Sequence, residues 1–286
     1  MESPSGSARS RTISTRSGAK GKKAPALCQG SQAASERSKG LIERQKTSIV
    51  LVQPSLPANI GATARAMKNM GFSLLRLVNP ADHLCLEARR MSSGSDEILE
   101  NAQVFPTLEE ALADLHFTVG CTARRGKERI KFVDPDGLAR HLEPYRPDTR
   151  LGIVFGREAR GLLNRELDLC NLLITIPTAL EHPSLNLAQA VLVLCYELRK
   201  AGSRPPGSAK FKNPPATSEE LEDLYQHARE VLLRIGFLDI GNPDRILRLL
   251  RRIFGRFGLD SREVRIFRGI LHQIDWYAGI TDRSRL

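Results

Sequence analysis

Between residues 47 and 200, short apolar runs alternate with segments whose apolar residues recur every three to four positions. The first pattern is typical of buried strands and the second of amphipathic helices. Strands are predicted at residues 48–52, 73–78, 116–120, 150–155 and 172–176. Helices are predicted at about residues 60–70, 107–114, 136–142, 163–169 and 186–200. This alternation predicts an α/β fold with a mostly parallel sheet covered on both faces.

The rest of the chain follows other patterns. Residues 1–45 are rich in Ser, Gly, Lys and Arg, so we predict a disordered basic tail ahead of an α/β domain at 46–202. A plain tail, an organelle transit peptide and a misplaced start codon all remain open for it. Residues 203–217 read as a Pro/Gly-rich linker. Residues 218–286 show helical periodicity only, which predicts a small helical domain. One helix is predicted to start at Ser218, another at Pro243–Asp244, and Ser261 is predicted to cap a third.

Composition narrows the class of protein. Hydrophobic residues make up 41% of the chain, but no apolar run reaches the ~18 residues that cross a bilayer. Five scattered cysteines without a CxxC pair argue for reduced thiols in a cytoplasmic protein and against a zinc site. Of the net charge of +11, +7 lies in residues 1–46 and +4 in residues 203–286. Nucleic acid is therefore a plausible partner.

Polar residues follow the first predicted strand. Asn59 can cap the next helix, and Arg65, two turns later, carries a guanidinium that suits contact with phosphate and ribose hydroxyls. The alternative is an ordinary capped helix with a solvated Arg65.

A second polar segment follows the strand at 150–155. Gly156 would let a ligand approach the backbone, and Arg157, Glu158 and Gly161 suggest a tight turn. The alternative is an exposed Arg157–Glu158 ion pair of little energetic value.

A third segment runs from Ile176 through Pro183, Ser184 and Leu185 to Asn186, just before the last helix of the α/β part. Here Ser184 or Asn186 could simply cap that helix.

Two basic segments are candidates for RNA contact. Arg124, Arg125 and Lys127 follow the strand at 116–120, and Arg245, Arg248 and Arg252 share one face of a later helix. In both cases a solvated charged surface is the alternative. No G-x-G-x-x-G follows the first strand and no P-loop sequence occurs, which disfavours dinucleotide-binding folds and P-loop ATPases.

Together the three polar segments resemble the signature motifs of the SpoU (TrmH-like) RNA ribose 2′-O-methyltransferases over residues 47–200. The stretches Leu249–Phe254 and Phe267–Leu271 look like the C-terminal domain of the TrmJ-type enzymes within that family. The resemblance implies a C-terminal trefoil knot and a homodimer with its sites at the interface. His182–Pro183 departs from the Tyr-Ser that the bacterial enzymes carry at this place.

The resemblance also implies a reaction, namely methyl transfer from S-adenosylmethionine to the ribose 2′-hydroxyl of nucleotide 32 (C or U) in the tRNA anticodon loop. No metal is required. It assigns catalytic roles to Arg65, Asn59, Glu158, Ser184 and Asn186. It assigns the cofactor to Cys121, Thr122, Ala123, Gly156, Ile176, Pro183, Ser184 and Leu185. A guanidinium is a poor base at neutral pH, so we expect Arg65 to orient groups and stabilise charge.

Two other functions stay open at this stage. The same chemistry could act on ribosomal RNA or on another tRNA position, or the chain could be a non-catalytic RNA-binding protein.

Overall fold

The computed structural model describes residues 43–124, 132–143, 145, 149–201 and 214–283. Six strands form one sheet in the order β3-β2-β1-β5-β4-β6, and every pairing in it is parallel. The strands are β1 (Thr47–Val52), β2 (Leu74–Val78), β3 (Gln103–Phe105), β4 (Phe117–Cys121), β5 (Leu151–Phe155) and β6 (Leu172–Ile174). The predicted α/β fold with a parallel sheet is therefore confirmed.

Helices cover the sheet on both faces. They are α1 (Pro57–Met70), α2 (Leu86–Ser92), α3 (Asp96–Glu100), α4 (Leu108–Leu112), α5 (Leu138–Leu142), α6 (Asn164–Leu167) and α7 (Leu187–Ala201). All six β1 residues are buried, and they point alternately into two cores. Ile49 and Leu51 pack in the larger core with α1 and α7, whereas Val50 and Val52 pack in the smaller core with α4.

Helix α1 begins earlier than the sequence pattern indicated. Leu56 occupies the N-cap position without a side-chain hydrogen bond, and Pro57 opens the helix. The prediction that Asn59 caps this helix is therefore wrong, because Asn59 lies inside the first turn. The helix packs tightly on α2: a Cβ atom at Gly61 would lie 2.0 Å from the carbonyl oxygen of Ala88.

Three elements were not predicted, namely β3, α2 and α3. Each has seven residues or fewer, and β3 is a three-residue edge strand with exposed Gln103 and Val104. Short segments of this kind carry too few periods for a pattern to be recognised.

The described part of the C-terminal region consists of α8 (Ser218–Arg234), α9 (Asp244–Phe257) and α10 (Ser261–Arg283). The predicted helix starts hold to within a residue. Thr217 caps α8 in a capping box with Glu220. Asp260, not Ser261, accepts the first free backbone amides of α10.

These helices have a small core of their own, which includes Leu224, Tyr225 and Val264. The start of α8 is fastened to the α/β part, because the Ser218 amide donates to the Leu115 carbonyl at 2.7 Å. The tail at 1–45 falls almost wholly, and the linker largely, outside the described residues. Within the described ranges, no helix is long and apolar enough to span a membrane and no cluster of side chains could hold a metal ion.

Candidate active site

The three polar segments meet at one edge of the sheet. All strands are parallel, so the loops after β1, β4, β5 and β6 lie on the same side, at the carboxyl ends of the strands. The chain runs outward from β1 to β3 and then returns to the other side of β1, so the order of strands reverses between β1 and β5. A reversal of this kind leaves a crevice where α/β sheets bind ligands.

The Glu158 carboxylate lies at the centre of this edge. One oxygen accepts hydrogen bonds from the backbone amide and hydroxyl of Ser55, at 3.1 and 3.0 Å. The other accepts from the Leu56 amide at 3.3 Å and from the Asn59 side-chain amide at 3.0 Å. The loop after β5 is therefore bound to the start of α1 by four hydrogen bonds to one carboxylate.

Asn59 extends this network to the third polar segment. Its side chain is 8% exposed, and its Oδ1 accepts a hydrogen bond from Nδ2 of Asn186 at 2.9 Å. Asn186 in turn accepts from the Ala188 amide at 2.9 Å and so caps α7. The capping interpretation of Asn186 is thus confirmed, and the same side chain also joins the site. We call Glu158, Asn59 and Asn186 the carboxylate–amide network.

The network keeps Glu158 ionised. Partial burial alone would raise the pKa of this carboxyl, but the hydrogen bonds from Asn59 and Ser55 outweigh burial, and its pKa lies below the usual value. A carboxylate with a lowered pKa is a weak base, so Glu158 is suited to hold neighbours in place.

Arg157 does not pair with Glu158, so the alternative of an exposed ion pair between them is wrong. Its guanidinium forms a bidentate pair with Glu166 at 3.0 and 2.9 Å, and its Nε donates to the Gln53 side chain at 2.7 Å. Both charged side chains are largely buried. Sequence reasoning missed Ser55 and Gln53, because each becomes a partner only once segments about 100 residues apart are brought together. It also missed Glu166, which lies only nine residues after Arg157.

The two glycines after β5 allow the backbone of this loop to approach itself closely. A Cβ atom at Gly156 would lie 2.1 Å from the Gly161 carbonyl carbon, so the close approach there is by the protein's own backbone. Gly161 has φ of 59°, which favours glycine, and its amide closes the predicted tight turn by donating to Arg157 at 2.8 Å.

Arg124 reinforces this loop. Its guanidinium donates to the carbonyls of Arg160 and Leu162, the latter at 2.6 Å. These bonds join the loop after β4 to the loop after β5. They also engage the Arg124 guanidinium, which was a candidate for RNA contact. Arg125 and Lys127 lie outside the described residues.

The predicted cofactor residues lie at the ends of three neighbouring strands, β5, β4 and β6. The Thr122 amide donates to the Ile174 carbonyl at 2.9 Å, which joins the ends of β4 and β6. Burial raises the pKa of Cys121 to about 12, so this thiol is neutral and not a nucleophile. Ala123, Pro183, Ser184 and Leu185 are exposed, and Ile176 is half-buried.

Arg65 and Ser184 stay outside the carboxylate–amide network. Both are exposed, and Arg65 makes no hydrogen bond or ion pair with the described part of the chain. Arg65 lies six residues after Asn59, which places it about 9 Å further along α1 and on a different side of that helix.

On α9, Arg245 is exposed and Arg248 half-buried, while the Arg252 side chain lies outside the described residues. RNA contact through this stripe stays a prediction.

Comparison with known proteins identifies the family. Residues 46–196 match the SpoU rRNA Methylase family, and residues 219–284 match the C-terminal domain of the tRNA methyltransferase TrmJ. A relative in Pseudomonas aeruginosa, named tRNA (cytidine/uridine/adenosine-2′-O-)-methyltransferase TrmJ, is 41% identical over 78% of this chain and 91% of its own length. The chain belongs to the TrmJ group of the SpoU methylase family.

Other members of the group agree. The Salmonella typhimurium TrmJ, named a tRNA (cytidine/uridine-2′-O-)-methyltransferase, is 37% identical over 81% of this chain and 97% of its own. The crystal structure of Zymomonas mobilis TrmJ has a TM-score of 0.69 and 35% identity, covering 80% of this chain and 99% of that one. The family resemblance drawn from the polar segments is therefore confirmed, and the chain is a methyltransferase.

Proposed function

We propose that this protein methylates the ribose 2′-hydroxyl of nucleotide 32, a cytidine or uridine, in the anticodon loop of tRNA, with S-adenosylmethionine as the methyl donor. The observation that carries the proposal is the carboxylate–amide network. It joins the three polar segments at the switch point of a sheet whose sequence belongs to the TrmJ group. Position 32 rests on the likeness of the C-terminal helices to TrmJ-type enzymes. We expect the protein to act in the cytoplasm.

The residues of the segment from Ile176 to Leu185 fit this cofactor. The backbone amides of Ser184 and Leu185 make no hydrogen bond with the described part of the chain, and Leu185 is 38% exposed. Free backbone groups beside Ile176 and Leu185 suit an adenine ring, which needs hydrogen bonds at its edge and apolar contact at its faces. When bound, S-adenosylmethionine supplies an electrophilic methyl carbon on a sulfonium.

The side chains of the site would then perform three tasks. The network fixes the start of α1 against the loops after β5 and β6, because Asn59 bonds to both Glu158 and Asn186. Arg65 and Ser184, which stay exposed, would contact the ribose and its phosphate and stabilise charge as the hydroxyl loses its proton. Glu158 holds the start of α1 in place rather than removing the proton, since its oxygens already accept four hydrogen bonds.

We also propose a homodimer built on α1 and α7, with the trefoil knot that the family resemblance implies. The two helices run side by side in the same direction, since Asn186 meets Asn59 at their starts and Arg199 lies near Gly71 at their ends. Leu192 and Tyr196 of α7 are 38% and 50% exposed, about level with Arg65 along the pair. An isologous contact through these apolar residues would place Arg65 at the interface.

The test is transfer of labelled methyl groups from S-adenosylmethionine to an unmodified tRNA transcript, with the product nucleotide mapped. Arg65→Ala should lower the rate by about 100-fold or more, as loss of a charge-stabilising donor does elsewhere. Lys68→Ala is the matched control, because Lys68 is an exposed cation one turn further along the same helix. It should keep the wild-type rate.

Other outcomes would change the proposal. Methylation at another tRNA nucleotide would keep the chemistry and overturn position 32. Transfer to ribosomal RNA alone would overturn the tRNA substrate, and transfer to neither RNA would favour a non-catalytic RNA-binding protein. Sedimentation equilibrium of wild type and Tyr196→Asp tests the dimer, and a wild-type monomer would refute it.

A further inference from the structure

The outer surface of α10 carries a row of basic and aromatic side chains that the proposed site does not use. Residues three and four positions apart share one side of a helix. By this spacing one exposed row is formed by Arg262, Arg265, Gly269, His272 and Trp276. We call it the α10 stripe. It spans about 21 Å along the helix axis.

The opposite side of α10 faces the small core. Val264 is 3% exposed there, and Leu271 packs against the same cluster. The stripe is therefore not needed to hold the helix in place. Trp276 is 61% exposed, which is unusual for so large an apolar side chain.

The cations of the stripe have no acidic partner among the described residues. Glu263 accepts from the Asp260 amide, and Asp275 pairs with Arg234. Asp223 pairs with Arg268, which lies off the stripe. Arg262 and Arg265 thus present uncompensated positive charge to solvent, whereas the neighbouring carboxylates are engaged.

We infer that the α10 stripe binds an unpaired segment of RNA, with phosphates on Arg262 and Arg265 and a base stacked on Trp276. Cations in a row follow a phosphate backbone, and an exposed indole offers a flat face on which any base can stack. Gly269 leaves room between them, since nothing lies within 4 Å of a Cβ atom built there. The inference rests on the proposed function only in taking RNA as the substrate.

Trp276 is the single tryptophan of the chain, so indole emission reports this position alone. The full-length protein, without cofactor, is titrated with a single-stranded oligouridine, a blunt RNA duplex and an unmodified tRNA transcript. We expect quenching by the oligouridine and the tRNA and little quenching by the duplex. Emission unchanged by all three RNAs would overturn the inference. Emission that instead depends on protein concentration without RNA would also overturn it and assign the stripe to a second copy.

Variants separate stacking from charge. Trp276→Ala should weaken tRNA binding roughly tenfold and raise the KM for tRNA by a similar factor, with partial rescue by Trp276→Phe. Phe237→Ala is the matched control, since Phe237 is equally 61% exposed in the same helical region. Equal affinities for the Trp276→Ala and Phe237→Ala proteins would refute base stacking.

Charge is tested by the salt dependence of binding. The double variant Arg262→Ala/Arg265→Ala should reduce the slope of log K against log salt by about 1.4 to 1.8, as loss of two phosphate contacts predicts. Arg90→Ala/Arg140→Ala removes the same charge from exposed positions of α2 and α5 and should leave the slope unchanged.

The binding and methylation results fail independently of each other. Quenching by tRNA without methyl transfer would overturn the proposed function and leave the stripe supported. Methyl transfer without quenching would do the reverse.

Discussion

Replacing Glu158 with glutamine tests the carboxylate–amide network directly, because the two side chains have nearly the same shape. Both carboxylate oxygens of Glu158 accept from two donors each. Glutamine turns one of these acceptors into a donor. In the better orientation its NH₂ faces Ser55, whose hydroxyl can rotate to accept, but the Ser55 amide loses its partner. In the other orientation Leu56 and Asn59 would both lose theirs.

The expected loss of stability follows from the number of hydrogen bonds that change. One backbone amide is left without its acceptor, and the remaining bonds change from charge-assisted to neutral ones. Each change is worth about 1 kcal/mol, and water can replace part of the loss because the site is only partly buried. We therefore expect the free energy of unfolding to fall by about 2 kcal/mol, which for a protein of this size corresponds to a decrease in Tm of roughly 4 to 8 °C.

Thermal and urea unfolding of the two proteins measure this difference, and kcat/KM for tRNA should fall alongside it. Glu109→Gln, on the exposed surface of α4, is the matched control and should shift stability by less than about 0.5 kcal/mol. A Glu158→Gln protein that melts within a degree of wild type and keeps its kcat/KM would refute the role given to the network.

The stability difference between wild type and Glu158→Gln should also depend on pH, in a direction set by the pKa of Glu158. The pKa of Glu158 is lowered in the folded protein from its ordinary value of 4.5, so the folded state favours the ionised form. The stabilisation is complete above the unfolded pKa and is lost as pH falls through the lower, folded pKa. The stability gap between wild type and Glu158→Gln should thus be constant at neutral pH and shrink below about pH 4.5. A gap that widens on acidification would contradict this reasoning.

Two further substitutions and one labelling experiment test the packing of the domain. Gly61→Ala should destabilise the protein by about 1 to 3 kcal/mol in urea unfolding, because its Cβ would collide with the Ala88 carbonyl. The control is Gly279→Ala, whose Cβ would lie in open space; it should be neutral or stabilising by up to about 1 kcal/mol. Arg124→Ala should speed amide hydrogen exchange in the loop after β5 without altering exchange in α9. Burial raises the pKa of Cys195 to about 12, so this thiol should resist iodoacetamide at pH 8 until the protein is unfolded.

Much of the fold could be predicted because its signals are local. Strand β1 contains the apolar run Ile49–Val52, and the structure buries all six of its residues. The short elements β3, α2 and α3 could not be predicted in the same way. Their positions depend on contacts with longer neighbours, such as the approach of α2 to Gly61.

In the site, too, some features could be predicted from local sequence and others could not. Residue types and family resemblance selected Asn59, Glu158 and Asn186, and the structure brings these three together. The partners they would take were not predictable. Arg157 follows a strand beside Glu158 in sequence, yet it pairs with Glu166, because adjacent residues in a turn point in different directions.

The choice of an amide at position 59 explains how the network can hold three segments at once. Glu158 offers only acceptors, so its partner must donate, and Asn186 donates its own side-chain NH₂ because its oxygen is used to cap α7. Asn59 must therefore donate to one neighbour and accept from the other, and an amide does both in a fixed geometry. A carboxylate at this position would face Glu158 with like charge, and an alanine would remove one donor from Glu158 and leave the side-chain NH₂ of Asn186 without its acceptor. The polarity of one side chain thus sets the register between α1, the loop after β5 and the start of α7.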